Sequence, residues 1–133
     1  MNAPRNIADL LGRVLMSVIF VVSGLQQAAN YVGTQAYMQL HGVLGAFLPV
    51  VIAFEIVAAV TFAAGYKTRA TAWLLATFTL LTAFLFHTDG DTSAQAIHFL
   101  KNLAMTGGFL VVLAHGAGDW SLDAYTERKE GSP

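Results

Sequence analysis

Residues 46–65 read AFLPVVIAFEIVAAVTFAAG, an apolar run broken by one charge, Glu55. A helix needs roughly 20 such residues to cross a hydrocarbon core about 30 Å thick. Water is absent at that depth, so the backbone must satisfy itself, and a run this long does so as a helix. Working outward, three further stretches share the character: about Ile7 to Ala29, about Ala70 to Phe86 and about Ile97 to His115. The sequence therefore predicts an all-α integral membrane protein, an antiparallel four-helix bundle with four transmembrane helices. Composition points the same way. Of 133 residues, 56% are hydrophobic and only 11% charged, against about 25% charged in ordinary soluble domains. Mean hydropathy is +0.58. The length suits one domain, residues 1–133, rather than two.

The same numbers exclude whole classes of function. A net charge of −1 offers no basic surface for nucleic acid. The absence of cysteine removes disulfides, thiol redox chemistry, iron–sulfur clusters and thiolate zinc sites. Gln26-Gln27-Ala28-Ala29 loosely matches a leader cleavage region, but the apolar stretch is too long and Arg13 interrupts it. The first span is expected to stay.

Charge sets the orientation. Arg5, Lys67, Arg69, Arg128 and Lys129 fall at the two termini and in the turn Tyr66–Arg69. The connections Asn30–Gly45 and His87–Ala96 carry no Lys or Arg, and the second holds Asp89 and Asp91. The positive-inside rule then places both termini in the cytoplasm. Thr34–Leu40 reads as a short interfacial helix. The tail Glu127–Pro133 is expected to fray.

Three ionisable residues lie inside the spans: Arg13, Glu55 and Lys101. Each unpaired charge at that depth costs roughly 2.5–3.5 kcal/mol, so three would cost on the order of 8–10 kcal/mol, as much as a typical domain's whole stability. They are expected to face inward and to pair. Helical spacing puts Arg13, Ser17, Phe20, Gly24 and Gln27 on one stripe of the first span. It does the same for Ile52, Glu55, Ala59 and Phe62, for Ala72, Ala76, Thr79 and Ala83, and for Lys101, Ala104, Gly108, Val111 and His115. Stripes this small and polar are expected to form the interior of the bundle. The preferred pairs are Glu55–Lys101 and Asp9–Arg13, with Glu55–Arg13 competing. Plainer readings stand beside these: Arg13 snorkelling to lipid phosphate, and Glu55–Lys101 acting only as a register pin.

His41, His87 and His98 map to the outer side, with Gln26, Gln27 and Asn30 near them. Neither a metal site nor a haem site is favoured. A polar outer cavity leading down to Lys101 and Glu55 is the expected site. Its candidates are Glu55 and Lys101 as catalytic residues, and Arg13, Gln27, Asn102, His87 and His98 as ligand-binding ones.

The chain resembles the DoxX family of small bacterial membrane proteins, and within it the inner-membrane YqjF-like members. Gly12-Arg13, Phe20, Gly24, Glu55 and the turn Gly65-Tyr66-Lys67-Thr68-Arg69-Ala70 carry the likeness. So do Phe99-Leu100-Lys101-Asn102-Leu103-Ala104-Met105-Thr106-Gly107-Gly108 and the closing Gly116-Ala117-Gly118-Asp119-Trp120-Ser121-Leu122-Asp123. The resemblance implies a four-helix protein of the bacterial plasma (inner) membrane. It also implies a link to quinone or quinol oxidoreductase assemblies, and to Arg13, Glu55, Lys101 and Asn102 as functional residues. Gln27 departs from the pattern, since relatives often carry lysine there.

Three functions compete. The first is a quinone- or quinol-interacting oxidoreductase component, with Lys101, Asn102 and His87 or His98 bonding ring oxygens and Glu55 moving protons. Its electrons would come from a partner or a bound cofactor, a quinone being the candidate. The second is a non-catalytic membrane adaptor docking a partner oxidoreductase through the Lys67/Arg69 turn and the segment Asp119–Lys129. The third is a carrier for a small anion or aromatic acid, drawn by Arg13 and Lys101 outnumbering Glu55. Four short helices make a narrow path, so a carrier would be a homo-oligomer.

Overall fold

The computed structural model describes residues 2–88 and 92–132. The loop acids Asp89 and Asp91 lie outside the described residues. Among the described residues six α-helices follow one another: α1 (Ala3–Ala29), α2 (Tyr31–Leu40), α3 (Leu48–Ala64), α4 (Thr68–Phe86), α5 (Ser93–His115) and α6 (Leu122–Glu130). A 3₁₀ turn, Gly45–Phe47, leads into α3. There is no strand among the described residues. Among the described residues four helices, α1, α4, α5 and α3 with its leading turn, are long and apolar enough to cross a membrane.

Local chemistry explains the boundaries. Pro4 and Pro49 sit in the first turns of α1 and α3, where the missing N–H breaks no helical bond. Gly65 ends α3 in the left-handed region (φ 71°), with Gly65 N–H donating to Phe62 O and Tyr66 N–H to Thr61 O, both at 3.1 Å. That is a Schellman closure, which glycine adopts without a Cβ penalty. The Thr92 and Ser121 hydroxyls cap α5 and α6 by accepting from Gln95 N–H and Ala124 N–H.

α1 packs against α3 and α4 against α5, and residues of all four meet in one core. Phe20, Phe62 and Phe109 form its aromatic centre, with ring centroids 5.7 Å (Phe20–Phe109) and 5.1 Å (Phe62–Phe109) apart. Ala58, Ala59, Ala72 and Ala76 let the backbones close around them. The expected inward stripes of the first three spans appear as read: Arg13, Ser17, Phe20 and Gly24, then Glu55, Ala59 and Phe62, then Ala72, Ala76, Thr79 and Ala83 are buried.

The fourth stripe is a correction. Lys101, Ala104, Val111 and His115 are exposed, and α5 instead turns Thr106 and Phe109 inward, with Met105, Val112 and Leu113 packed against the core. The bulky side chains fill the gap between Phe20 and Phe62, which the small ones cannot. Two further differences concern the ends. The short helix expected over Thr34–Leu40 begins at Tyr31, and the tail expected to fray from Glu127 is helical to Glu130.

The tail closes one end of the molecule. The Asp123 carboxylate accepts from Lys67 N–H (2.6 Å) and Thr68 N–H (2.8 Å), so it caps the start of α4. Asp123 N–H in turn donates to Gly65 O at 2.8 Å. Asp123→Ala is expected to cost about 1–2 kcal/mol, the loss of a helix cap with two charge-assisted bonds. Chemical denaturation in mild detergent measures it, and an unchanged midpoint would contradict the cap.

Candidate functional site

Glu55 lies near the midpoint of α3 and is 4% exposed. Its partners come from α1, the helix packed against it. Gln27 Nε2 donates to Glu55 Oε2 at 3.0 Å, and Ser23 Oγ donates to Oε1 at 3.4 Å. Gln27 Nε2 also donates to Ser23 Oγ at 2.9 Å, which closes the triangle. The i,i+4 spacing of Ser23 and Gln27 puts both on one face of α1, so one helix delivers both donors.

The triangle forms part of the wall of a cavity of about 520 Å³. That is within the range of small-molecule sites, which are mostly apolar with a few placed polar groups. Phe20, Val51, Phe78, Leu85, Phe86 and Met105 supply the apolar surface. Ser23, Gln27, Glu55, Thr79, Asn102 and His87 supply the polar one. Helix α2 closes one side of it: Met38 is buried, and Tyr37 stacks on Phe86 (5.6 Å) while its hydroxyl donates to Phe86 O at 3.3 Å.

Of the seven candidate residues, Glu55, Gln27, Asn102 and His87 share this cavity, whereas Arg13, Lys101 and His98 do not line it. His98 is exposed and stacks its ring on His87 at 5.3 Å. The expected Glu55–Lys101 pair is not formed. Among the described residues the ion pair present is Arg5–Asp9 at 3.8 Å. Glu55 takes neutral donors from α1 instead, and Lys101 stands on the exposed side of α5. Lys101 lies eight residues, about 12 Å of helix, from the start of α5, a distance a long lysine side chain can partly span by snorkelling. With Lys101 outside, the interior surplus of positive charge that motivated an anion carrier is absent.

Arg13 belongs to the opposite end. It is 1% exposed, so it does not snorkel to lipid. Nη2 donates to Trp120 O at 2.6 Å, and Nε donates to Asp9 main-chain O at 3.4 Å rather than pairing with its carboxylate. The Glu55–Arg13 alternative is not formed either. Arg13 ties α1 to the segment before α6, beside the tail cap of Asp123.

Sequence reasoning left Ser23, Thr79 and Tyr37 out of the site. Ser23 was findable, since it precedes Gln27 by one turn. Tyr37 reaches the cavity because α2 folds back over it, which no local pattern announces.

The fold and this site define a small helical membrane protein whose spans enclose a ligand-sized cavity. A family model described as DoxX matches residues 8–88. The chain is 39% identical to the inner membrane protein YqjF of Escherichia coli (strain K12) over 129 residues, covering 97% of this chain and 99% of that one. It is 33% identical to the inner membrane protein YphA of the same organism, covering 92% of each. No solved structure matches. The chain belongs to the DoxX family, and it is a multi-pass protein of the bacterial inner membrane.

Proposed function

We propose that this protein is a quinone- or quinol-binding component of a membrane oxidoreductase system. One observation carries the reading: a mid-span carboxylate, held by Gln27 and Ser23, in the wall of a largely apolar cavity of about 520 Å³. A lipid-soluble ring with oxygen substituents matches such a wall. Its apolar part fills the cavity, and its oxygens meet the polar groups at Glu55, Gln27 and Asn102. Glu55 is the group that would exchange protons with the ligand, and Gln27 and Ser23 orient it. The chain contains no cysteine, so electrons would pass to a partner protein or a second cofactor.

The arrangement that goes with this reading is a single domain, an antiparallel four-helix bundle with both termini in the cytoplasm. Two facts support it. The basic residues Arg5, Lys67, Arg69, Arg128 and Lys129 group at the termini and the α3–α4 turn. The bonds from Lys67 N–H to the Asp123 carboxylate and from Arg13 to Trp120 O bring that turn, α1 and the tail to one end. The cavity, with Tyr37, Phe86 and His87, then opens toward the outer leaflet.

The test is equilibrium binding of a decyl-chain benzoquinone and its quinol to purified protein in lipid nanodiscs. We expect saturable binding, weakened up to about tenfold by Glu55→Gln and by Gln27→Leu, the loss expected for one hydrogen bond. No binding, or binding indifferent to both substitutions, would rule the reading out.

A further inference from the structure

Exposure is shared unevenly around the cavity wall. Glu55 is buried, whereas Phe47, Val50, Leu81 and Leu85 line the same space and are exposed, from 37% at Leu85 to 66% at Val50. Residues that line a cavity and also reach the surface mark its mouth. These four come from neighbouring helices: Val50 from α3, Phe47 from the turn leading into it, and Leu81 and Leu85 from α4. Phe54 and Phe78 meet across the same two helices, with ring centroids 5.0 Å apart. Val50 and Leu81 lie about one turn beyond that bridge, and Phe47 and Leu85 about two, on the side away from Gly65. The mouth is a slot between α3 and α4, and the Phe54–Phe78 contact is its floor.

The other sides of the cavity are closed. Under α2, Tyr37, His41 and Phe86 form one cluster, with centroids 4.4 Å (Tyr37–His41), 5.6 Å (Tyr37–Phe86) and 5.3 Å (His41–Phe86) apart. Met38 is buried beside them. On the α1 side Ile19 is exposed, but the described lining residues around it, Ser23, Gln27 and Asn102, are half-buried, so no exposed pair faces across that seam. Polarity runs opposite to exposure. The slot is bordered by apolar side chains alone, and the polar groups stand away from it, on α1, α5 and the buried side of α3. An apolar slot that opens onto hydrocarbon strands no polar group, so it can stand open in a bilayer at little cost.

From this we infer that the cavity is entered sideways from the bilayer, and that a bound ligand keeps its polar head at Glu55 while its apolar chain leaves between α3 and α4 into lipid. The inference rests on the quinone/quinol reading of the same cavity and deepens it by naming the ligand class, a ring-headed lipid with a long chain. Val50 is five residues, about 7.5 Å of helix, from Glu55, so the first few chain carbons span the slot. Beyond Val50 and Leu81 the chain meets lipid rather than protein, and its length is unrestricted.

Two modified ligands test this on the wild-type protein in nanodiscs, beside a plain decyl-chain benzoquinone, with all affinities referred to the ligand's concentration in the lipid. The first carries a bulky adamantyl group at the chain end. We expect its Kd to stay within about threefold of the plain compound's, because that end lies in lipid. A chain confined by protein would press the group against the wall and weaken binding about tenfold or more. The second carries a photoreactive diazirine midway along the chain. After irradiation, peptide mass spectrometry is expected to find label on Phe47, Val50, Leu81 or Leu85, suppressed by excess plain compound. A tenfold loss from the adamantyl group overturns the inference. So does the absence of suppressible label at those four residues, or suppressible label at Ile19, Thr34 or Tyr37 in their place. Each of these results leaves the cavity assignment standing, whereas failure of the plain compound to bind removes that assignment as well.

Discussion

Gly65→Val will unfold this protein more readily than any other single change at the end closed by the tail. The residue sits at φ 71°, where a side chain costs roughly 1–2 kcal/mol and a β-branched one more. Space is the larger problem. A Cβ there would fall on the Arg13 guanidinium and 2.5 Å from Ser121 Cβ. Neither neighbour can yield freely, because Arg13 is tied to Trp120 O and the Ser121 hydroxyl to Gly118 O. Gly65 O also receives Asp123 N–H, so displacing this turn opens the tail cap. The combined loss is expected to reach about 3 kcal/mol or more, and the thermal midpoint should drop by roughly 10 °C. Tryptophan fluorescence in mild detergent measures it, with both tryptophans, Trp73 and Trp120, as reporters. A midpoint within a degree of wild type would refute the packing described here.

Arg13→Met is the second. The methionine keeps most of the volume and removes every donor. It strands Trp120 O, which now receives Nη2 at 2.6 Å, and it releases α1 from the segment that leads to α6. Breaking a buried charged hydrogen bond of this kind costs about 2–4 kcal/mol. Hydrogen exchange distinguishes a local from a global effect. The amides of Lys67, Thr68 and Asp123, which the tail cap protects, should exchange at least tenfold faster. The Glu55 cavity lies at the other end, and quinone binding should persist in this variant. Unchanged exchange at those three amides would show that Arg13 does not hold the tail.

These two changes act on contacts that the residues themselves only partly foretell. The closing block Gly116–Asp123 shows loop glycines followed by a Ser cap, and that much is local chemistry. That its aspartate caps a different helix, 55 and 56 residues earlier, is a consequence of where the tail lands. Gly118 shows the same: it holds φ 80° with Asp9 of α1 against it, a close approach that only the folded chain creates.

The spans were readable because the energy behind them is large and additive. Twenty apolar residues in a row have one home, and Glu55 or Arg13 in such a run must look away from lipid. Periodicity also told which residues share a face, and for α1, α3 and α4 the polar or small face was the buried one. What the order of residues does not encode is which of two plausible faces a helix turns inward. In α5 both the Lys101–Ala104–Val111 face and the Asn102–Thr106–Phe109 face were open to the core, and the void between Phe20 and Phe62 chose the second. That rotation takes Lys101 out of the expected site and keeps Asn102, already a candidate, in its wall. Electrostatic need names the residues that require partners, but tertiary packing assigns the partners, because a buried carboxylate is satisfied as well by two neutral donors on the adjoining helix as by a distant ammonium.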